Sequence, residues 1–362
     1  MINLRVAVEA PPILEPLVVR LLAHEPTIRT DNDAVLLFEE DDRLEYDLQG
    51  FSLVVHAPSS NNIDGDVLLI VPGQPSAHRL IRASSKHNTL LVTERCDQLC
   101  VMCSQPPKSY HTDLFDQFAT AALLAPEKAM IGISGGEPLL YKSRLLEMLE
   151  RVVEARPDLT FHILTNGQHL SAADVPAIAE LGPERILWGV PIYAVDATVH
   201  DRIVGKSGAF AKLTEGLTVL MRAGASVELR TVVLRQNWDQ LPTLADFISS
   251  RLSFSSVWAM MQLEPIGYGR MNWRKSFQDT SEDFSNVARA IDISMARGQS
   301  VSLYNFPLCS VPHEYRRHAP STISDWKRKY LDFCDGCSSR QACGGFFEWY
   351  KHGEGFTRLG GI

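Results

Sequence analysis

Three of the seven cysteines lie close together, at Cys96, Cys100 and Cys103. Cysteine thiolates are ligands of zinc and of iron–sulfur clusters. Three thiolates would bind three irons of a 4Fe–4S cluster and leave the fourth iron open to another ligand. A zinc knuckle or a set of buried free thiols fits the same spacing. The trio therefore indicates either a metal centre with an open position or structural thiols.

Two turns that contain glycine and polar residues follow later along the chain. In the first turn, Gly135 and Gly136 precede Glu137. The glycines would let the backbone approach a ligand closely, and the Glu137 carboxylate could accept hydrogen bonds from a bound ammonium group. A tight turn explains the glycine pair equally well. The second turn is Thr-Asn-Gly, with Asn166 at its centre.

Repeated strand–helix units must position these residues. From about residue 88, short apolar runs alternate with amphipathic helical stretches, a pattern typical of a parallel sheet. Apolar stripes predict helices over Phe210–Met221 and Phe284–Met295. We expect an α/β fold with a partial (βα)6 barrel, whose strand ends bring the trio and both turns to one rim. The six predicted strands are Asn88–Arg95, Met130–Ser134, Thr160–Thr165, Arg185–Tyr193, Ser226–Leu234 and Ser256–Glu264.

The two ends of the chain have other patterns. The first 85 residues contain short strand-like runs, Asn-, Asp-, Gly- and Pro-rich turns, and one helix candidate at Leu14–Leu22. The tail holds Cys309, Cys334, Cys337 and Cys343 among few regular elements, as expected where a metal cluster replaces a hydrophobic core. We therefore predict a small β-rich N-terminal domain at 1–85, the barrel at 86–300 and a cluster-binding segment at 301–362.

The composition excludes several classes of protein. Hydrophobic residues make up 45% of the chain, which is too many for a fibrous or disordered protein. The net charge of -8 gives no general attraction to nucleic acid or to an anionic membrane. No apolar run reaches the ~18 residues of a membrane helix, and the first residues do not form a signal peptide. We expect a cytoplasmic protein with no nucleic-acid or membrane partner.

The cysteine spacing, the Gly-Gly-Glu-Pro turn and the Thr-Asn-Gly turn together resemble the radical S-adenosylmethionine (radical SAM) superfamily. The resemblance implies a 4Fe–4S cluster whose open iron binds S-adenosylmethionine. An electron donor then drives cleavage to a 5′-deoxyadenosyl radical, which removes a substrate hydrogen. The matching residues are Cys96, Cys100 and Cys103 as cluster ligands, Gly135, Gly136 and Glu137 at the methionyl amino group, and Asn166 near the adenosine.

Several other residues bear on this resemblance. Glu228 and Arg230 alternate along one strand and share a face. If that face is inward, Arg230 could bind the cofactor carboxylate; the alternative is an Arg–Glu pair against a helix layer. Met102 stands where the family usually has an aromatic residue, and Asp97 stands where asparagine is usual. Other side chains that could approach a substrate, although packing roles are commoner, are His162, Trp258, Glu264, Trp273 and Tyr304.

The four C-terminal cysteines resemble the auxiliary-cluster segment of Twitch and SPASM extensions. This implies a second 4Fe–4S cluster held by Cys309, Cys334, Cys337 and Cys343, with a structural zinc site as the alternative. From about residue 80 onward, the chain resembles the radical SAM maturases of the His-Xaa-Ser system, the HxsC family. That resemblance implies a ribosomally made precursor peptide as substrate, and a second radical SAM protein and a small helper protein as partners.

The sequence therefore predicts an enzyme that abstracts hydrogen from a precursor peptide, with no catalytic acid or base identified. Two alternatives remain. One is a radical SAM modifier of RNA or of a small metabolite, which the net charge and the second cysteine group disfavour. The other is a non-catalytic iron–sulfur partner that presents the peptide to a second radical SAM protein.

Overall fold

In the computed structural model, which describes residues 4–362, the N-terminal strands close into a barrel. These strands are β1 (Arg5–Glu9), β2 (Leu17–Leu22), β3 (Asp33–Glu40), β4 (Arg43–Leu48), β5 (Phe51–His56), β6 (Val67–Ile70) and β7 (Ser76–Ile81). Neighbouring strands are antiparallel, except that β2 and β3 run parallel. The barrel has its own apolar core, which includes Val19, Leu21, Leu53 and Leu68.

The predicted helix at Leu14–Leu22 is wrong, because Leu17–Leu22 forms strand β2. This strand pairs with β3 on one side and β6 on the other, and it buries Val18, Val19 and Leu21. Valine loses side-chain freedom in a helix and packs well on a pleated sheet. Pairing on both sides therefore decides the conformation of a segment whose apolar spacing also fits a helix.

The second sheet has parallel strands in sequential order. They are β8 (Asn88–Thr93), β9 (Met130–Gly135), β10 (Thr160–Leu164), β11 (Ile186–Pro191), β12 (Ser226–Val232), β13 (Val257–Met261) and β14 (Val301–Tyr304). The six predicted strands correspond to β8 to β13. The sheet contains one strand more than we predicted, because β14, assigned to the C-terminal segment, pairs with β13. At four residues, β14 is too short to give a clear periodic signal.

Helices cover one face of this sheet. The helices of the described chain are α1 (Phe115–Leu123), α2 (Lys142–Ala155), α3 (Val175–Leu181), α4 (Ala197–Val204), α5 (Ala209–Arg222), α6 (Leu241–Arg251), α7 (Gly267–Met271), α8 (Trp273–Ser276) and α9 (Ser285–Ala296). Those that contribute to the main core on this face are α1, α2, α3, α5, α6 and α9. The predicted apolar stripes lie on α5 and α9, where Leu213, Leu217 and Ile291 join the main core. From β12, Val227 and Leu229 join the same core. Alternate strand residues therefore point toward the helices.

The opposite face of the sheet carries small and polar residues. Glu228 pairs in register with Gly189, and Arg230 pairs with Ala259. A Cβ atom on Gly189 would lie only 2.8 Å from His162 Nε2 and 3.1 Å from Arg230 Cδ. Glycine at this position therefore leaves room for polar side chains of three strands to converge on the helix-free face.

The C-terminal segment beyond β14 consists mostly of turns, with the two-residue strands β15 (Arg328–Lys329) and β16 (Phe346–Phe347). Its aromatic side chains Phe346, Phe347, Tyr350 and Phe356 belong to an apolar cluster that also contains Met102. Arg82 makes two hydrogen bonds to Asp325, at 3.0 and 2.7 Å, and so connects the segment to the chain just before β8. Within the described part of the chain, no helix has the length and apolarity needed to cross a membrane.

Candidate functional site

The cysteine trio lies on the loop that follows β8, and α4 holds the backbone of this loop. The amide groups of Leu99 and Val101 donate to the carbonyls of Val204 and Ile203, at 3.0 and 2.9 Å. Gly205 ends α4 with a φ of 67°, and a Cβ there would lie 2.7 Å from Leu99 O. Glycine at the helix end therefore permits both the left-handed turn and the close approach of the loop.

A second element, α7, holds the other end of the cysteine loop. Tyr268 N donates to Cys103 O at 2.8 Å, and Asn272 Nδ2 donates to Val101 O at 2.9 Å. Gly267 has a φ of 55°, and a Cβ there would lie 2.5 Å from Cys103 O. The Gly-Tyr-Gly stretch after β13 thus has a clear structural role in fixing the loop.

The turn after β9 packs on the chain that leads into the cysteine loop. Gly136 N donates to Thr93 O and Glu137 N donates to Arg95 O, both at 2.8 Å. A Cβ on Gly135 would overlap Thr93 O, and one on Gly136 would overlap Arg95 O. The glycine pair therefore positions the β9 turn against the cysteine loop. Contact between this turn and a cofactor amino group stays a prediction.

The Glu137 side chain joins the turns after β9 and β10. It is 1% exposed, and its carboxylate accepts hydrogen bonds from Leu139 N at 2.9 Å and from Thr165 Oγ1 and Asn166 N at 2.5 Å. A carboxylate has about four acceptor positions, so about one remains for a bound ammonium group. The structure thus brings Glu137 and Asn166 together on the rim that carries the trio.

Asp97, next to the first cysteine, is a charged centre that the sequence analysis treated only as a substituted turn residue. Its carboxylate accepts a hydrogen bond from Asn166 Nδ2 at 2.9 Å, lies 3.1 Å from His169 Nε2, and forms an ion pair with Lys206. Although burial opposes ionisation, His169 and Lys206 hold the pKa of Asp97 well below its usual range. The partners are 69 to 109 residues away, so no local spacing could have indicated them.

The three thiols of the loop are partly or largely buried. Burial raises the pKa of Cys96 to about 11 and raises those of Cys100 and Cys103. Cys103 and Cys96 also raise the pKa of Cys100 through their charge, so the three sulfurs lie within electrostatic reach of one another. Without a metal the thiols keep their protons, and Cys103 Sγ donates to Gln105 O at 3.0 Å.

Two observations test whether this donor set fits a metal group. Among residues 4–362, no three or more His, Cys, Asp or Glu side chains are arranged to hold a single metal ion. In a cluster, however, each thiolate binds a different iron, so the sulfurs need not meet at one point. Three cysteines on a loop held from both sides fit a cluster bound through three irons.

Met102 of the cysteine loop and Tyr193 after β11 are buried near Cys100. Met102 is 8% exposed and Tyr193 is 7% exposed, and both belong to the apolar cluster shared with the C-terminal segment. Burial raises the pKa of Tyr193, with smaller effects from Cys100 and Arg230. Tyr193 therefore lies within electrostatic reach of both Cys100 and Arg230. The sequence analysis missed it as a site residue, because it appeared only as the end of a predicted strand.

A group of polar side chains, the inner polar cluster, occupies the helix-free face of the sheet. Glu228 forms an ion pair with Arg230, accepts a hydrogen bond from the Tyr304 hydroxyl at 2.8 Å and lies 3.3 Å from His162 Nε2. Burial disfavours the charge of Glu228, but His162 and Arg230 lower its pKa to about 2. Arg230 is therefore paired with Glu228, and its binding to a cofactor carboxylate stays a prediction.

The remaining candidates lie outside the inner polar cluster. Glu264 lies 3.6 Å from Lys327 of the C-terminal segment, and burial raises its pKa. Trp258 is fully buried in the main core and donates to Thr231 Oγ1 at 2.9 Å. Of the five polar and tryptophan candidates, the structure brings together only His162 and Tyr304.

The second group of cysteines also converges. Cys309, Cys334, Cys337 and Cys343 line one small pocket in the C-terminal segment. Backbone amides point at two of the sulfurs: Gly345 N and Leu308 N donate to Cys343 Sγ at 3.3 and 3.4 Å, and Ile362 N donates to Cys337 Sγ at 3.5 Å. Such donors stabilise thiolates and tune iron–sulfur clusters. The four residues fit a 4Fe–4S cluster, in which each thiolate binds a different iron. Among residues 4–362 the sulfurs do not meet at one point as a single zinc ion requires, so zinc stays an alternative hypothesis.

Comparisons with known proteins cover the cysteine loop and most of the parallel sheet. Residues 90–248 match the family model of the radical SAM superfamily. The chain is 24% identical over 246 residues to the PqqA peptide cyclase of Granulibacter bethesdensis, covering 67% of this chain and 63% of that protein. It is 24% identical over 229 residues to the GTP 3′,8-cyclase of Aquifex aeolicus, covering 60% of this chain and 65% of the cyclase. These matches support the radical SAM superfamily for the sheet and the cysteine loop.

One solved structure aligns with part of this chain. The structure of Streptococcus suis SuiB bound to S-adenosylmethionine aligns with a TM-score of 0.49 at 15% identity, covering 62% of this chain and 51% of SuiB. This chain thus spans about half of SuiB and about two thirds of the two cyclases.

Proposed function

We propose that this protein is a radical S-adenosylmethionine enzyme that abstracts hydrogen from a residue of a ribosomally made precursor peptide. The observation that carries the proposal is the cysteine trio on a loop bonded to the turn after β9. The family match over residues 90–248 supports the superfamily. Similarity to the PqqA peptide cyclase supports a peptide as the substrate class.

The cofactors would be bound on the rim of the parallel sheet. When bound, the cluster and S-adenosylmethionine would supply the one-electron reductive chemistry needed for hydrogen abstraction. The residues proposed to hold them are Cys96, Cys100 and Cys103 for a 4Fe–4S cluster, and Gly135, Gly136, Glu137, Asn166 and Arg230 for S-adenosylmethionine.

The chain's own residues would orient this centre. Glu137 holds the turn after β10 against the turn after β9 through its bonds from Thr165 and Asn166. Met102 and Tyr193 belong to the apolar cluster that packs against Cys100, and they would exclude water from that side of the trio. Arg230 would have to exchange its contact with Glu228 for the cofactor carboxylate. We therefore propose Glu228 as the residue that holds Arg230 in place before the cofactor binds.

We further propose an auxiliary 4Fe–4S cluster bound by Cys309, Cys334, Cys337 and Cys343. The alternative is a zinc ion bound by the same four thiolates. Four thiolates would leave no iron open, so this cluster would relay electrons or shape the substrate site. The N-terminal barrel at 1–85 is proposed as a separate domain, because it has its own apolar core.

The more specific proposal is membership of the HxsC family of His-Xaa-Ser maturases. The sequence motifs from about residue 80 onward support it. A second radical SAM protein, a small helper protein and an electron donor would then be partners. Mass spectrometry of the peptide encoded beside this protein, coexpressed with and without it, tests this proposal through the mass change of the peptide.

The central experiment is anaerobic reconstitution followed by a measurement of 5′-deoxyadenosine. We expect formation that requires both dithionite and S-adenosylmethionine, in protein that contains iron and sulfide. Absence of 5′-deoxyadenosine with and without the peptide would contradict an enzymatic role and favour a non-catalytic partner. Zinc in place of iron and sulfide at the trio would contradict the proposal at its first step.

A second candidate is a radical SAM enzyme that acts on a small nucleotide. Similarity to the GTP 3′,8-cyclases favours it, at about the same identity as the peptide cyclase. The two candidates differ in what stimulates cleavage of S-adenosylmethionine. Stimulation by GTP, with no response to the peptide, would favour the nucleotide.

A further inference from the structure

A groove of about 1090 Å³ lies between α7 and α8 on one side and the C-terminal segment on the other. Arg270, Trp273 and Lys275 belong to the first wall, and Lys329 and Trp349 belong to the second. Neither cysteine group lines this groove, nor do the glycine turns or the inner polar cluster. It is therefore a separate cavity from the sites already described.

The charge of the groove is opposite to that of the whole chain. The protein carries a net charge of -8, yet six of the residues that line the groove are basic and two are acidic. The basic residues are Arg235, Arg270, Arg274, Lys275, Lys329 and Lys351. Like charges around one cavity repel one another, and a bound anionic group relieves that repulsion. The charge distribution thus favours an acidic ligand.

Most of these basic side chains have no partner to neutralise them. Within residues 4–362, Arg270, Arg274, Lys275 and Lys329 form no ion pair and donate no side-chain hydrogen bond. Lys351, in contrast, lies 3.6 Å from Glu354. Four unpaired cations in one groove are available to carboxylates of a ligand.

The aromatic residues favour a peptide over a single-stranded nucleic acid. Trp273 is stacked on Phe277, with ring centroids 4.2 Å apart, and its indole N–H donates to Glu354 O at 2.6 Å. Tyr350 is buried and stacked on Phe346 at 5.1 Å. Nucleic-acid sites of this kind need aromatic faces on which bases can stack. Here Tyr350 is buried and one face of Trp273 is covered by Phe277, so the unpaired charged side chains are the main recognition groups.

We propose that this groove binds an acidic segment of the peptide substrate, an inference that rests on the proposed function. The groove adjoins the cysteine loop through α7, since Tyr268 N and Asn272 Nδ2 donate to that loop. The acidic segment of a bound peptide would therefore lie in the groove, outside the rim. The peptide residue that is modified would lie further along the peptide, at the rim. The groove would select the peptide by charge and leave the chemistry to the rim.

The experiment measures binding of two fluorescein-labelled decapeptides to the anaerobically reconstituted full chain by fluorescence anisotropy. One peptide alternates glutamate and glycine, and the other alternates glutamine and glycine. We expect the glutamate peptide to bind more tightly, and its affinity to fall as salt is added. A double variant, Arg274→Gln with Lys275→Gln, should weaken binding roughly two- to fivefold per removed charge. The charge-matched control is Arg222→Gln with Arg251→Gln, which alters exposed arginines outside the groove.

Three outcomes would overturn the proposal. They are equal binding of the two peptides, equal affinity of the groove and control variants, and binding of a single-stranded RNA decamer in the groove with no binding of the glutamate peptide. Formation of 5′-deoxyadenosine without peptide is measured in parallel on the same variants. Loss of peptide binding with normal cleavage locates the failure in the groove, whereas intact binding without cleavage locates it in the proposed chemistry.

Discussion

The two cysteine groups are held by different kinds of structure. The trio lies on a loop fixed by backbone hydrogen bonds to α4, to α7 and to the turn after β9. The other four cysteines lie among turns, short 3-10 helices such as Leu308–Ser310 and Asp332–Cys334, and the two-residue strands β15 and β16. Their sulfurs receive amide hydrogen bonds from Gly345, Leu308 and Ile362. The backbone of the first group is thus held by neighbouring elements, whereas in the second group backbone amides donate directly to the sulfurs.

This difference indicates how strongly the local fold of each site depends on bound metal. A loop whose backbone is already bonded to three elements keeps its shape when the metal is removed. The C-terminal segment has an aromatic cluster but only short regular elements, so we expect metal binding to supply more of its folding free energy than of the loop's. We therefore expect changes in the trio to affect chemistry first, and changes in the second group to affect local stability first.

The largest effect is expected for Cys100→Ala. Removing one of three thiolates leaves too few ligands for a cluster with an open iron, so formation of 5′-deoxyadenosine should fall below detection. The loop should keep its fold, because its backbone bonds do not involve this sulfur, and circular dichroism should be unchanged. Ser104→Ala, at an exposed position of the same loop, is the control. Full activity of Cys100→Ala would mean that the trio is not the reactive centre.

The next largest effect is expected for Gly136→Ala. A Cβ at this position would overlap Arg95 O, so the turn after β9 and the cysteine loop must separate. Overpacking of this kind costs about 3 kcal/mol or more of unfolding free energy when backbone atoms must move. The matched control is Gly336→Ala in the second cysteine group, where a Cβ would meet no atom within 4 Å. Denaturant unfolding should separate the two variants clearly, and similar stabilities would contradict the close packing of the rim.

A smaller and more local effect is expected for Cys337→Ala. The variant should lose about half of the iron, if both groups bind 4Fe–4S clusters, and the C-terminal segment should become sensitive to proteases. The cluster on the trio should remain visible by spectroscopy. Ser339→Ala, beside the same pocket, should retain all the iron. Protease resistance equal to that of the native protein would show that the segment is ordered without its metal group.

Sequence reasoning identified the parts of the fold with strong periodicity. It placed the six longer parallel strands and the helices α5 and α9, whose apolar residues repeat over several turns. It missed β14, which is four residues long, and it misread β2, whose apolar spacing fits both a strand and a helix. In both cases the decisive interaction is pairing with strands distant in sequence, which no local pattern contains.

The candidate site was predictable where residue type decides the chemistry. Cysteine spacing and the glycine turns indicated the rim, because few other residue types could do the same chemistry. The roles of Asp97 and Tyr193 were not predictable, since each depends on partners brought together by the fold. The alternation of residues along β12 predicted that Arg230 and Glu228 share a face of the strand. It did not decide between an ion pair of the two and binding of a cofactor carboxylate by Arg230.

The smallest effect is expected for Asp97→Asn, which tests how charge supports the cysteine loop. The amide keeps an oxygen for Asn166, but it loses the ion pair with Lys206 and the contact with His169. The unfolding free energy at pH 7 should fall by about 1–2 kcal/mol, because hydrogen bonds to charged groups are among the stronger ones. Asp246→Asn, which removes an exposed pair with Arg297, should cost at most about 1 kcal/mol.

The pH dependence of this last variant provides a sharper measurement than its stability alone. Because the pKa of Asp97 is lower in the folded protein than its ordinary value of 3.8, its stabilising effect is present above that value and is lost as the pH falls below it. The difference in unfolding free energy between the native protein and Asp97→Asn should therefore shrink as the pH falls below about 4. A difference that stays constant below pH 3 would mean that Asp97 supports the loop through its shape and not through its charge.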